Sequence, residues 1–159
     1  MSGRRWLIVL ALVWAVLLIA AGVWSAANDP PTVREQSSLE RGRARVAEAV
    51  ELVRRAAGPG VDVDVRPPEV TTGCELSVTR SGSELDQVVV LTVPRGEEAA
   101  VLDRLAERLP PDWEANRFRD PERLVADAGE FVSVRAEVEA PGEVRLTLGT
   151  GCRPGDEAR

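Results

Sequence analysis

The sequence predicts an α+β fold: an N-terminal transmembrane helix followed by a two-layer domain, with two amphipathic helices packed on one face of a mainly antiparallel sheet of four to six strands. Three observations predict it. The run Trp6–Trp24 (WLIVLALVWAVLLIAAGVW) is 19 residues without a charge. Two later stretches place apolar residues at helical spacing. Several further runs alternate apolar and polar residues, so that one face is buried and one is wet, as in an antiparallel sheet covered on a single side.

At about 1.5 Å per residue, a helix over residues 6–24 extends about 28 Å, close to the hydrocarbon thickness of a bilayer. Arg4 and Arg5 precede it, so the positive-inside bias places residues 1–5 in the cytoplasm and the remainder outside. A secreted form cleaved near Ala27 is the alternative, since Ser25-Ala26-Ala27 supplies small residues. Against cleavage, the run is longer than the roughly 7–15 residues of a signal h-region. No Cys lies at the end of the run, in residues 25–36, which argues against lipid anchoring. Residues 25–36, with Pro30-Pro31, read as a spacer.

The domain is expected over residues 37–152. Ser37 and Glu40 fit a capping box, and Leu39, Val46, Val50, Val53 and Ala57 share a helical stripe that Gly58-Pro59-Gly60 ends. The other face carries Glu40/Arg43, Arg45/Glu48 and Glu51/Arg55, a solvated set of weak ion pairs. Val61–Val65 (VDVDV) reads as an edge strand with Asp62 and Asp64 toward water. Cys74–Thr79 and Val88–Val93 read as an antiparallel pair joined by a polar loop through Ser81-Gly82-Ser83. Glu97–Leu109 is the second helix, with Val101, Leu102, Leu105 and Leu109 as its buried stripe, and Pro110-Pro111 closes it. Trp113–Arg119 is expected as a strand and Asp120-Pro121-Glu122 as the start of a short helical turn to Asp127. The last two strands are Phe131–Glu139 and the run from Val144 through Leu148, turned by Ala140-Pro141-Gly142. Residues 153–159 read as a polar, frayed tail.

Cys74 and Cys152 are the only cysteines, so one intramolecular disulfide is expected between them in an oxidising compartment. All 20 basic residues are Arg, with no Lys, His or Tyr. That composition removes Ser-His-Asp and Ser-Lys catalysis and any His-based zinc site. No Gly-rich phosphate loop follows a strand. No catalytic, cofactor-binding or metal-ligating residues are therefore assigned, no cofactor is expected, and Asp62-x-Asp64 reads as solvent-facing charge. Setting Arg4 and Arg5 aside, 18 Arg face 26 acidic residues, a net of −8, which disfavours nucleic acid and anionic lipid headgroups as partners.

One local feature suits recognition. Trp113, Arg117 and Arg119 share a strand face as a candidate interaction surface. The alternative is that Trp113 packs in the core, with the arginines paired to Glu114, Asp120 or Glu122.

Two Ile confined to the apolar run, the absence of Lys and Tyr, and abundant Ala, Val, Arg, Gly and Pro indicate a high-GC genome. With one apolar helix, a small domain and the contexts Thr72-Gly73-Cys74 and Thr150-Gly151-Cys152, the chain resembles the single-pass anchored or secreted envelope proteins of actinobacteria. The resemblance implies a location, the cell membrane with the domain outside, and supplies no site. The expected function is a non-enzymatic binding module of the bacterial cell envelope. Its partners would be the membrane, through the anchor, and another envelope protein or a cell-wall component. The alternatives are an extracytoplasmic enzyme using carboxylates only, or a small subunit working through its transmembrane helix, with Ala20, Ala21 and Gly22 as the contact.

Overall fold

A computed structural model describes residues 2–28, 37–77 and 80–154. Helix α1 covers Ser2–Asn28 and so contains the whole apolar run. Its described side chains, Trp6 and Val9–Trp24, are exposed. Among the described residues no helix is long and apolar enough to cross a membrane. The run expected to span the membrane is thus helical, while the span itself is not established among the described residues. The helix also runs four residues into the expected spacer, and residues 29–36 lie outside the described ones.

The domain has two helices on one face of an antiparallel sheet of seven strands, one more than the upper expectation. Helix α2 (Leu39–Ala57) buries the expected stripe together with Gly42, Ala49 and Ala56. Its cap is Ser38, whose Oγ accepts from the Arg41 N–H at 3.4 Å, and not Ser37 as the capping box suggested. Ser37 is instead 7% exposed and drawn into the C-terminal network described below. Strand β1 (Asp62–Val65) turns Asp62 and Asp64 outward and sits at one edge of the sheet, as expected.

Strands β2 (Glu69–Ser77) and β3 (Arg80–Thr92) form one long hairpin. The polar loop expected at Ser81-Gly82-Ser83 is therefore strand, its residues paired in turn with Glu75, Cys74 and Thr72. Packing accounts for this: the Gly82 backbone lies against Arg153, and a Cβ there would overlap the Arg153 carbonyl and come within 2.9 Å of Cys152 Sγ. The expected strand end Val78-Thr79 lies outside the described residues.

Helix α3 (Glu98–Arg108) buries Val101, Leu102 and Leu105 as expected. Pro111–Trp113 is a single 3-10 turn, so only Asn116–Arg119 of the expected strand is extended, as β4. The helical turn expected from Pro121 is strand β5 (Glu122–Asp127), which forms a hairpin with β4 across a cis Asp120–Pro121 bond. The helix-start signal loses to tertiary pairing: Leu124 and Ala126 alternate into the core at a strand's period of two. Strands β6 (Ser133–Ala140) and β7 (Glu143–Gly149) complete the order β1-β3-β7-β6-β5-β4, with β2 on β3 beyond β1. The inner face contributes Leu85, Val89, Leu91, Leu124, Val134, Ala136, Val144, Leu146 and Leu148 to one core with α2 and α3.

The Cys74–Cys152 disulfide is formed, with Cα atoms 5.8 Å apart and a sequence separation of 78. It brings Arg153 onto the sheet, where Ser83 and Arg153 exchange backbone hydrogen bonds of 2.8 Å in both directions. Arg153 was expected to begin a frayed tail, yet it is fully buried. Its neighbour Cys152 is covalently fixed and its side chain finds carbonyl acceptors on three segments. Residues 155–159 of that tail lie outside the described ones.

Candidate functional site

The site is an open groove at one end of the β4–β5–β6 ladder, with a cavity volume of about 380 Å³. Trp113, at 1% exposure, is its floor together with Val125 and Ala126. Phe131, 43% exposed, is its lip, and Glu114, Asn116, Asp127 and Ser133 complete the lining. The lining surface is mostly apolar, and its charged members are both acidic. A second open cavity of about 510 Å³ continues past Pro110 and Pro111 and shares Glu114 and Asn116 with the first.

Each wall has a local cause. Pro110-Pro111 cannot continue α3, so the chain makes a 3-10 turn whose Trp113 N–H donates to the Pro110 carbonyl at 3.0 Å, dropping the indole into the core. Glu114 then takes a left-handed conformation (φ 47°), and the Asn116 side-chain amide donates to its carbonyl at 2.8 Å. Between β5 and β6, Gly129, Glu130 and Phe131 are left-handed in succession (φ 82°, 51° and 60°). The Ala128 N–H donates to the Val132 carbonyl at 2.7 Å and the Val132 N–H to the Gly129 carbonyl at 3.1 Å, closing a tight loop. Among the described residues, Glu114, Glu130 and Phe131 are the non-glycine residues with positive φ. Two of them line the groove and the third adjoins it. Such conformations cost on the order of 1–3 kcal/mol each and persist only where the surroundings impose them.

The surroundings here are three polar clamps on residues 128–131. Arg45 Nε donates to the Ala128 carbonyl at 2.5 Å while its Nη1 holds Glu48 at 2.7 Å. Ser37 Oγ donates to Glu130 Oε2 at 3.3 Å. Arg153 donates through Nη2 to the Glu130 carbonyl, through Nη1 to Ser37 Oγ at 2.5 Å and to the Ser37 carbonyl at 3.3 Å, and through Nε to the Thr150 carbonyl at 3.1 Å. Burial lowers the Arg153 pKa from its ordinary value, and the negative charge of Glu130 acts the other way. Gly42 makes room for that guanidinium: a Cβ on it would lie 2.9 Å from Arg153 Nε. Asp127 adds a fourth tie, its Oδ1 accepting from the Gly129 N–H at 2.8 Å. The backbone leading into the groove lip, residues 128–130, is therefore fastened to both ends of the domain.

The structure places Trp113, Arg117 and Arg119 in different surroundings. Trp113 takes the core alternative. The Arg117 side chain is 10% exposed and holds Asp103 at 2.9 Å and Glu122, while Arg119, 72% exposed, reaches Asp103 at 3.6 Å. Of the partners expected for these arginines only Glu122 is used; Asp103 comes from α3, which the sequence did not place beside β4. Sequence reading missed Phe131 as a groove residue and Arg45 and Arg153 as its supports. Arg45 and Arg153 act across chain separations of 83 and 23 residues, beyond local pattern. For Phe131 a signal existed, since Gly129 marks a turn two residues before a large apolar residue.

Among the described residues, no group of three or more His, Cys, Asp or Glu is arranged to hold a metal ion. Comparison with known proteins finds no matching family, no matching curated protein and no matching solved structure.

Proposed function

We propose that the protein is a membrane-anchored binding module of the bacterial cell envelope, with its N terminus cytoplasmic and its α+β domain outside, which recognises another envelope component through the groove beneath Phe131. The observation that carries the reading is the coincidence of an open, mostly apolar groove with the strained residues Glu114, Glu130 and Phe131, the turn at 128–131 being held by partly buried polar clamps. Backbone strain kept in place by dedicated side chains is a mark of pre-organised binding surfaces. The anchor rests on the 19 uncharged residues 6–24, the preceding Arg4 and Arg5, and the exposed apolar side chains of α1, a surface that water does not favour. A disulfide agrees with an oxidising compartment. From Asn28 to Ser37 the chain reaches at most about 32 Å, so the groove lip tied to Ser37 would recognise partners close to the bilayer.

Binding is favoured over carboxylate catalysis. A general acid has to be matched to its task by shielding from water, whereas Glu114 and Asp127 are exposed, and Asp127 is engaged by Gly129. The test has two arms. In native membranes the chain should resist alkaline carbonate extraction, and the domain should be digested by protease added to intact spheroplasts; carbonate release or protection from protease would refute the anchor or its orientation. From solubilised membranes, the wild-type chain should retain a partner that a Val125→Arg chain loses. Equal recovery by both would refute the groove.

A further inference from the structure

Building on the binding reading, we infer that the groove takes a basic-apolar peptide segment of a partner protein, an aliphatic or aromatic side chain lying against Val125 and Phe131 and an Arg or Lys cation reaching Glu114 and Asp127. Charge complementarity carries the choice. No basic residue lines the groove, its two charged members are acids, and of the guanidinium groups nearby those of Arg45 and Arg153 are committed to carbonyls, while the exposed Arg135, opposite Val125 in the β5–β6 pairing, stays outside the lining. An acidic ligand would meet both carboxylates and a domain, residues 37–152, of net charge −7.

Size and shape narrow the class. A volume of about 380 Å³ lies at the low end for ligand sites and suits one or two side chains. The second cavity, continuing past Pro110 through the shared Glu114 and Asn116, gives a chain somewhere to run on, which a small amine would not use. Strand addition to the β4 edge is disfavoured because Arg117 Nη1 already donates to the Phe118 carbonyl. Stacking of a sugar ring on the indole is disfavoured because Trp113 is 1% exposed. Side-chain recognition of a short extended segment is what remains.

The test pans a phage-displayed random heptapeptide library on the full chain in phosphatidylcholine nanodiscs, after depletion on protein-free nanodiscs, and measures the affinities of the selected peptides as synthetic compounds. Selected peptides should carry Arg or Lys within two positions of a large apolar residue. They should bind Phe131→Ala poorly and bind Glu114→Gln/Asp127→Asn about fivefold more weakly, two partly exposed charge contacts together amounting to about 1 kcal/mol. They should be unaffected by Asp62→Asn/Asp64→Asn, an equal loss of charge at the far edge of the sheet. Asn at position 127 keeps the oxygen that accepts from Gly129. Peptides that lack basic residues, or that ignore Glu114→Gln/Asp127→Asn, would overturn the basic-apolar occupant; if they still depend on Phe131, the binding reading stands. No enrichment, or peptides indifferent to every groove variant, would overturn both.

Discussion

Replacing Gly42 with Ala should destabilise the wild-type domain and stabilise an Arg153→Ala domain. In α2 the added Cβ would lie 2.9, 3.0 and 3.1 Å from Arg153 Nε, Cζ and Cδ. The guanidinium cannot swing away without leaving the carbonyls of Thr150, Ser37 and Glu130. Overpacking of this kind costs about 1–3 kcal/mol, against a helix-propensity gain of about 1 kcal/mol for Gly to Ala, so a net loss of about 1 kcal/mol is expected. Arg153→Ala alone should cost about 3 kcal/mol, three carbonyls losing a donor at about 1 kcal/mol each. With the side chain gone the clash vanishes and only the propensity gain survives, giving a stabilisation of about 1 kcal/mol and a coupling of about 2 kcal/mol between the two positions. Urea denaturation of the oxidised chain and its three variants, followed by circular dichroism, measures all four corners of the cycle. If Gly42→Ala shifts both backgrounds equally, within about 0.5 kcal/mol, Arg153 does not occupy the space that Gly42 leaves.

Three other outcomes test other parts of the fold. Reducing the Cys74–Cys152 bond, which closes a loop with a sequence separation of 78, should cost about 4.5 kcal/mol on the chain-entropy model; denaturation curves that coincide with and without reductant would contradict a structural role. Arg117→Met, which strips Asp103 and Glu122 of a largely buried partner, should cost about 1–2 kcal/mol, while Arg119→Met at its exposed position should cost under about 0.5 kcal/mol. Equal melting temperatures for those two variants would reject the distinction. Glu98 accepts from the Gly96 N–H at 2.8 Å and the Gly142 N–H at 2.5 Å, and hydrogen bonds from its own backbone N–H and from these two hold its carboxyl below the ordinary 4.5. Because the folded value is the lower one, the stabilisation is present above the ordinary value and is lost as pH falls through the folded value. Glu98→Gln should accordingly weaken the acid dependence of stability, and a wild-type acid limb in that variant would refute the assignment.

What could be read from the sequence follows the range of the forces involved. The stripes of α2 and α3 and the alternation of β6 and β7 are periodic over many residues and were legible, as was the disulfide, because two cysteines allow one pairing. Strand β5 was read as helix because Asp120-Pro121-Glu122 is a helix-start signal in isolation, and only pairing with β4 and β6 outweighs it. The Ser81-Gly82-Ser83 stretch looked like a loop because its reason to be extended, the close approach of Arg153, comes from the far end of the domain. The groove was the least legible part. The sequence singled out Trp113, which lies at its floor, while leaving open whether it faces the core or solvent, and its lip depends on Arg45, Ser37 and Arg153 converging from three separated segments.

The central claim, that the groove under Phe131 is where the anchored domain meets its partner, is tested most directly by placing a photoreactive phenylalanine analogue at position 131 in the full chain and irradiating native membranes. The same analogue at Arg55, on the exposed face of α2, serves as the control. A discrete adduct formed from position 131, absent from position 55 and lost on adding Val125→Arg, is the expected result. Adducts equally strong from both positions, or none from position 131, would contradict it.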